Sequence, residues 1–369
     1  MFLIDSPNDF IKLFNNKNIN CFSNSFLRNY IDNNNFKTRE SHNKKKRFII
    51  TIAPIHNNYG DEAIFLSTKQ FLEEYFPEVK QIVIKARQIL INLDLIKYIV
   101  NDEDVIIISG GGYFGLYDLI IKEQVTIVKN FPNNQIIFFP CSIFDNPNKK
   151  MKYFNFLNVF NQHHNLTFFI RDKISFDISK KLFPKSSIYK VPDISTRLDL
   201  NFLNNITYKR NGILLILRKD ELLLTRDNRI FIRKISRKYF NNLIKEIDSN
   251  KFSIPNSSNI LNETINFIKL IKTKKLVITD RLHGMILSII TGTPNIVFGN
   301  NYHKVESSYD SWFRNISYSF YIKKEEIEYK LEKTILKIIN SSNNYNYEKE
   351  KFQKYYILMR DIIDKIIYN

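Results

Sequence analysis

From residue 48 onward, short runs of β-branched and aromatic residues alternate with longer stretches of helical period. Residues 48–54, 81–85, 104–109, 135–140 and 166–170 read as strands, and 61–75, 90–100, 117–129, 149–162 and 173–182 as helices. Strands that are apolar on both faces, spaced by amphipathic helices, are what a parallel sheet covered on both sides requires. A polar stretch, 192–210, interrupts the pattern. It restarts with strands at 213–217, 276–279 and 295–298 and helices at 233–247, 259–273 and 281–291. The expected fold class is α/β, with two Rossmann-like doubly wound domains facing a cleft, an N-terminal appendage and a C-terminal helix. The expected divisions are an appendage at 1–47, a first domain at 48–195, a second at 205–322 and C-terminal helices at 323–369. Two short helices, 9–16 and 23–32, are expected within the appendage. In the tail, Phe352, Tyr356, Met359, Ile363 and Ile366 recur at helical spacing, which predicts a helix docked on one of the domains.

A chain of 369 residues suits two domains at roughly 150 residues each. Its 44% hydrophobic and 25% charged residues are an ordinary globular balance. Cys21 and Cys141 are too few for a disulfide framework or a four-thiolate zinc site, so free thiols in a reducing compartment are expected. The first residues lack a basic region followed by an apolar run, and no apolar run approaches the roughly 18–20 residues of a spanning helix. A cytoplasmic protein is expected. Lys and Arg outnumber Asp and Glu by 55 to 37, a formal net charge of +18. That charge suits a solvated basic surface, a polyanion partner or an anionic membrane face. No interleaved basic and aromatic module accompanies it, and nucleic acid is not expected as a partner.

The chain has only nine glycines, where average usage would give about 26. Gly60 follows the first strand, and Gly110, Gly111, Gly112 and Gly115 follow the strand at 104–109. Gly284, Gly292 and Gly299 lie in or after the strand-to-helix segment of the second domain that begins at Thr279. Strand-to-helix turns need positive φ or close backbone approach, which glycine supplies. A triple glycine after a buried strand can turn successive N–H groups toward an anion or toward sugar hydroxyls. The spacing is neither a dinucleotide fingerprint nor a Walker A loop, so neither NAD nor ATP is expected.

In Asp280-Arg281-Leu282-His283-Gly284, Asp280 has the chemistry of an N-cap, with Arg281, His283 and Gly284 in the first turn. Cations at a helix N-terminus oppose the macrodipole, unless an anion sits between them and the free N–H groups. Arg218 and Asp220 follow the strand at 213–217, at the same carboxyl edge. Two arginines and a histidine converging there would suit a small anion carrying a carboxylate and a phosphate.

Several stretches together resemble the polysaccharide pyruvyl transferase family. They are Asn58-Tyr59-Gly60-Asp61-Glu62-Ala63-Ile64, Ile108-Ser109-Gly110-Gly111-Gly112-Tyr113-Phe114-Gly115 and Pro140-Cys141-Ser142-Ile143. Ile170-Arg171-Asp172-Lys173-Ile174-Ser175, Val191-Pro192-Asp193 and Leu217-Arg218-Lys219-Asp220 follow, then the Thr279 to Gly284 element with Gly292-Thr293-Pro294. The ordered match runs from about residue 49 to 306. Cys141 stands where the family often has Gln, and Tyr113 where a small or polar residue is frequent.

The resemblance implies a two-domain fold like that of GT-B glycosyltransferases, and transfer of a pyruvyl group from phosphoenolpyruvate to a sugar. Arg281 and Arg218 are expected to clamp the donor's carboxylate and phosphate, assisted by the N–H groups of Leu282, His283 and Gly284. His283 is expected to act as general acid or to stabilise the departing phosphate, and Asp61 to accept a proton from an acceptor hydroxyl. Asn58, Gly110, Gly111, Gly112 and Tyr113 are expected on the acceptor side, with His56 nearby. The pair His163-His164 reads as a surface feature at a helix end. Neither a metal nor a cofactor is expected. The expected acceptor is a sugar of a cell-surface polysaccharide or its lipid-linked precursor, with peripheral contact at an anionic inner membrane face. Two other readings stand beside this one: a GT-B glycosyltransferase using a nucleotide-sugar, and a non-catalytic polyanion-binding protein.

Overall fold

The computed structural model describes residues 2–4, 46–55, 57–115, 117–144, 150–203, 209–218, 224–251, 260–299, 303–341 and 345–368. The helices expected at 9–16 and 23–32, Cys21, His56 and Asp220 lie outside the described residues.

The first sheet has eight parallel strands: β1 (Phe2–Ile4), β2 (Phe48–Ala53), β4 (Gln81–Lys85), β5 (Val105–Ile108), β6 (Gly111–Phe114), β7 (Gln135–Ile143), β8 (Leu166–Ile170) and β9 (Ser187–Lys190). Their order is β1-β4-β2-β5-β7-β8-β9, with β6 paired to β7 beyond the end of β5. Residues 2–4, expected in an appendage, instead form the edge strand beside β4, pairing Phe2 with Ile82 and Ile4 with Ile84. The second sheet is also parallel and runs β11 (Ile244–Ile247), β10 (Ile213–Ile216), β13 (Leu276–Thr279), β14 (Asn295–Phe298), β15 (Ser319–Ile322). A two-stranded antiparallel ribbon, β3 (Asn57–Asn58) with β12 (Asn250–Lys251), bridges the two domains.

The helices are α1 (Tyr59–Tyr75), α2 (Gln88–Ile91), α3 (Leu93–Ile99), α4 (Asp118–Asn130), α5 (Lys150–Gln162), α6 (Lys173–Leu182), α7 (Arg226–Phe240), α8 (Ile260–Lys272), α9 (Leu282–Ile290), α10 (Lys304–Ser308), α11 (Ile327–Ile339) and α12 (Glu350–Tyr368). Alternation along the strands sorts the core into three layers. Ile49, Ile82 and Ile106 face one outer layer, and Ile213, Leu276 and Ile278 the other. Phe48, Ile50, Val83 and Val105 of the first sheet share the middle layer with Leu214, Ile216 and Val277 of the second. The middle layer is filled by α1, α8, α9 and α12, so the domains share one continuous core in place of a wholly open cleft. Tyr59 of α1 stacks on Phe267 of α8 with ring centroids 4.6 Å apart, part of that joint.

Two further expectations change. The stretch 233–247 is not one helix: α7 ends at Phe240 and β11 follows. The half-exposed Ile-Lys-Glu-Ile of β11 is an edge strand, with too little apolar character to signal itself. The polar stretch that interrupts the pattern after residue 192 begins inside the protein. Ile194, Ser195, Thr196 and Arg197 form a buried 3₁₀ turn, and Thr196 hydrogen-bonds the Tyr356 hydroxyl of α12. Its polar groups are satisfied internally, which sequence polarity does not reveal. His163 is also buried and not a surface residue, with Nε2 3.0 Å from the Phe131 carbonyl oxygen; burial lowers its pKa.

Candidate active site

Parallel sheets gather functional side chains beyond the carboxyl ends of their strands. Here the two sheets direct those ends toward each other across the interdomain joint. Arg171 follows β8, Asp193 lies three residues past β9, and Gly112 lies in β6. From the second domain come Arg218 after β10, Asp248 after β11, Asp280 and Arg281 after β13, and Lys304 at the start of α10.

Arg171 is 1% exposed and organises the first-domain side. Its Nη1 donates to Asp193 Oδ2 at 2.6 Å and its Nε to Ser142 Oγ at 2.9 Å. Burial raises the Asp193 pKa, but Arg171, contacts with His283 and the Ser195 hydroxyl outweigh it and hold the carboxyl well below the usual range. Asp193 accepts from the Ser195 N–H at 2.9 Å and from its hydroxyl at 2.6 Å. His283 reaches this pair from α9, with Nε2 3.5 Å from Asp193 Oδ2. That nitrogen is buried and makes no hydrogen bond of ordinary geometry among the described residues.

The imidazole rests on the backbone of Gly60, in the first turn of α1. A Cβ at Gly60 would lie 2.2 Å from His283 Nδ1 and 2.5 Å from Cγ, so only glycine lets the two helix N-termini approach this closely. Gly60→Ala is expected to lower the free energy of unfolding by about 1–3 kcal/mol, as overpacking does, read by urea titration. An unchanged midpoint would mean that the ring is free to leave.

Gly284 has a different task. A Cβ there would meet Thr279 Oγ1 at 2.3 Å, so this glycine lets α9 start against the end of β13. Thr279 Oγ1 in turn donates to the Ile216 carbonyl and accepts from the Arg281 N–H at 3.0 Å. The N–H groups of Leu282, His283 and Gly284 have no acceptor among the described residues, as expected for the first turn of an open helix end.

Asp280 was expected to cap this helix. Arg281 instead holds the N-cap position, with φ −102° and ψ 131°. The Asp280 carboxylate turns back to accept from the Arg218 N–H at 2.8 Å, with Arg229 Nη2 3.8 Å from its other oxygen. Burial pushes the Asp280 pKa up to about 6 against these cations. Arg281 donates to Asp248 Oδ1 at 2.5 Å, which orients it along the second-sheet edge.

Lys304 completes the cluster. Burial drives its pKa from 10.5 down to about 7, aided by Arg171, Arg218 and Arg281, while Asp61 acts in the other direction. It makes no ion pair within 4 Å among the described residues. A Cβ at Gly112 would sit 2.8 Å from Arg171 Nη2 and 3.5 Å from Lys304 Nζ. Gly112 therefore opens room for the two cations. Three arginines, a lysine and a histidine, drawn from both domains, thus lie close together, a set of fixed cations that suits a compact multivalent anion.

The structure thus brings Arg218, Arg281, His283 and Asp61 to one locus and adds Arg171, Asp193 and Lys304. Gly112, expected on the acceptor side, faces this cation cluster, whereas Gly110 packs against the Pro140 carbonyl oxygen, 2.7 Å from a Cβ built there. Gly111, at φ 144°, carries the turn into β6. Asn58 is the N-cap of α1, its side chain accepting from the Gly60 N–H at 2.9 Å. Tyr113 contributes its backbone to β6; its side chain lies outside what the structure describes. Cys141 is buried and free, and burial pushes its thiol up to about 12.

The family model for polysaccharide pyruvyl transferases matches residues 58–302, two-thirds of the sequence. The chain belongs to the polysaccharide pyruvyl transferase family. It is 29% identical over 308 residues to General stress protein 30 of Bacillus subtilis, covering 82% of this chain and 88% of that one. To Pyruvyl transferase 1 of Schizosaccharomyces pombe it is 26% identical over 291 residues, covering 72% and 70% of the two chains. Among solved structures, an uncharacterized protein of Klebsiella pneumoniae aligns with TM-score 0.51 at 22% identity, over 82% of this chain and 99% of that one. A Listeria monocytogenes protein provisionally assigned as a UDP-N-acetylglucosamine 2-epimerase aligns with TM-score 0.50 at 12% identity, over 87% and 97%. The architecture is GT-B-like.

As a pyruvyl transferase of this family, the protein is a transferase acting on polysaccharide. The family match ends two residues before Lys304. No spacing in the sequence distinguishes that lysine among 55 basic residues. Its one available signal was its place just beyond the fourth strand of a parallel sheet, where ligands bind. Arg171 and Asp193 stood inside recognised stretches, but their pairing crosses from β8 to the segment after β9 and has no local signature. No described helix is long and apolar enough to cross a membrane.

Proposed function

We propose that the protein transfers the enolpyruvyl carbons of phosphoenolpyruvate to two hydroxyls of a sugar, forming a pyruvate ketal and releasing phosphate. The observation that supports this most is the convergence of Arg171, Arg218, Arg281, Lys304 and His283 from both domains. Phosphoenolpyruvate carries a carboxylate and a phosphate on adjacent positions, and several fixed cations suit it better than one.

A proton is added to the methylene carbon, which becomes the methyl group, and C2 becomes electron-poor. One sugar hydroxyl adds to C2 and loses its proton; a second hydroxyl then replaces the phosphate, which departs with its C–O electron pair. Arg281 and Arg218 clamp the anionic groups. His283 supplies or steadies the proton on the phosphate side, and Asp61 accepts a hydroxyl proton. Lys304 provides positive charge where phosphate charge develops. The acceptor is a cell-surface glycan or its lipid-linked precursor, and the +18 charge supports peripheral contact with an anionic cytoplasmic membrane face.

Incubation with phosphoenolpyruvate and a panel of glycan acceptors is expected to release phosphate and to add the mass of the pyruvate ketal to one of them. Calorimetric binding of a nucleotide-sugar without binding of phosphoenolpyruvate would support a glycosyltransferase instead. Lys304 makes the donor assignment testable without an acceptor. With its pKa near 7 in the free protein, an anion that restores its charge must bring a proton with it above that pH. At pH 8, phosphoenolpyruvate binding is expected to take up close to one proton, read by calorimetry in buffers of different ionisation heat. Lys304→Met is expected to remove that uptake, and equal uptake by both proteins would exclude Lys304 from the site.

A further inference from the structure

The segment that carries Lys304 belongs to the second domain by sequence and is fastened to the first. His303 enters it in the left-handed region at φ 54°, and α10 passes directly into a single π-helical turn, Tyr309–Phe313. Such turns recur at functional sites because they re-aim side chains within a helix. Ser307 Oγ accepts from the Ile174 N–H at 3.1 Å and donates to Asp172 Oδ1 at 2.8 Å. Ser311 Oγ accepts from the Lys173 N–H at 3.0 Å. Trp312 Nε1 donates to the Arg171 carbonyl oxygen at 2.7 Å.

These bonds do the work of a helix cap. The first N–H groups of a helix have no partner within it. In α6 the third, Ser175, is taken by its own N-cap Asp172 at 2.9 Å, while the first two are taken by serines of the other domain. Lys304 and Ser307 are three residues apart on α10 and share a helix face. Seating Ser307 on α6 therefore directs Lys304 toward Gly112 and Arg171. Arg171 is fixed at its carbonyl by Trp312 and at its guanidinium by Asp193. The contact thus holds two like charges from different domains side by side, an arrangement that an anion between them relieves.

We propose that residues 303–313 are an interdomain latch: Ser307 and Ser311 cap α6, and the capped state is the one in which Lys304 and Arg171 converge on the anionic donor. The ligand class rests on the proposed function; the latch itself rests on the cap. Latch closure and anion binding then favour each other reciprocally. Ser307 and Ser311 act as positioning residues, at a distance from the reacting atoms.

The test is hydrogen exchange in the full chain over the peptide 171–176, with and without phosphoenolpyruvate, in wild type and in S307A/S311A. In the wild type, phosphoenolpyruvate is expected to slow exchange of this peptide. In the double variant, exchange there is expected to be at least about tenfold faster, with α11 unchanged, and the KM for phosphoenolpyruvate about tenfold higher with a smaller change in kcat. Ser307→Thr, which keeps the hydroxyl, is expected to restore most of both.

A pH profile separates positioning from general loosening. Lys304 is faced by Arg171 and Asp61 from the first domain and by Arg218 and Arg281 from the second, with His303 and Glu306 on its own segment. Unlatching exposes it to water, so the pH at which donor binding weakens should rise in the variant. Unchanged exchange at 171–176 together with an unchanged KM would overturn the latch. If the wild type binds no phosphoenolpyruvate, the donor assignment fails, and the exchange comparison without ligand still decides the latch.

Discussion

His283→Ala is expected to reduce phosphoenolpyruvate-dependent phosphate release by about 10²–10³-fold, the cost of removing one preorganised polar group from a site of this kind. The imidazole lies between the free N-terminus of α9 and the backbone of Gly60, with Nε2 3.5 Å from Asp193. Removing it strands no fully buried charge, because Asp193 keeps Arg171 and Ser195 as partners. The midpoint of thermal unfolding should therefore move by only a few degrees. Arg281 is less simple. Its 2.5 Å pair with Asp248 means that Arg281→Ala leaves a carboxylate whose side chain is 5% exposed without that partner, so lost activity would mix with lost stability. Arg281→Lys keeps the charge, removes the planar fork, and is expected to lose activity comparably with a smaller folding cost. Turnover close to wild type in both His283→Ala and Arg281→Lys would remove the donor site from this locus.

Asp193→Ala is expected to be the most destabilising single change in the site, lowering the free energy of unfolding by about 3–5 kcal/mol. Breaking one half of a buried ion pair leaves the other charge uncompensated, and Arg171 is 1% exposed. The same carboxylate predicts how stability varies with acid. Its folded pKa lies below the unfolded value of about 3.9, so the unfolded chain binds the proton first. The contribution is fully present above about pH 4 and fades as the pH falls toward the folded pKa. Asp193→Asn should therefore lose less stability than Asp193→Ala at pH 7 and show a flatter decline below pH 4. Urea titrations at pH 7, 4 and 3 read both effects; parallel declines in wild type and Asp193→Asn would show that the carboxylate is not the acid-sensitive group.

Part of this arrangement is legible in the residue pattern alone. Apolar strands of four to six residues with helical stretches between them signal a parallel sheet, and a parallel sheet directs chemistry to its carboxyl edge. Arg218, Arg281 and His283 follow from that rule, and their placement at strand ends is local. Asp280 shows where local reasoning stops. An Asp before a helix is a good N-cap by type, but the Arg218 N–H just past the end of neighbouring β10 competes for the carboxylate and takes it. Gly110 and Gly112 are similarly indistinguishable in sequence; one faces the Pro140 backbone and the other faces Arg171 and Lys304.

Features that depend on near neighbours are set by local sequence: the strand and helix periods, the scarce glycines at their junctions, the ordered family stretches and the arginines and histidine at strand ends. Periodicity and turn chemistry act over a few residues, so one chain segment contains them. The pairing of Arg171 with Asp193, the seating of His283 on Gly60, and the approach of Lys304 from a segment capped onto α6 arise from the packed fold. These contacts join residues that are 22, 223 and 133–138 positions apart. Burial is also a property of the assembled structure, and it is the main cause that lowers the Lys304 pKa from 10.5 to about 7.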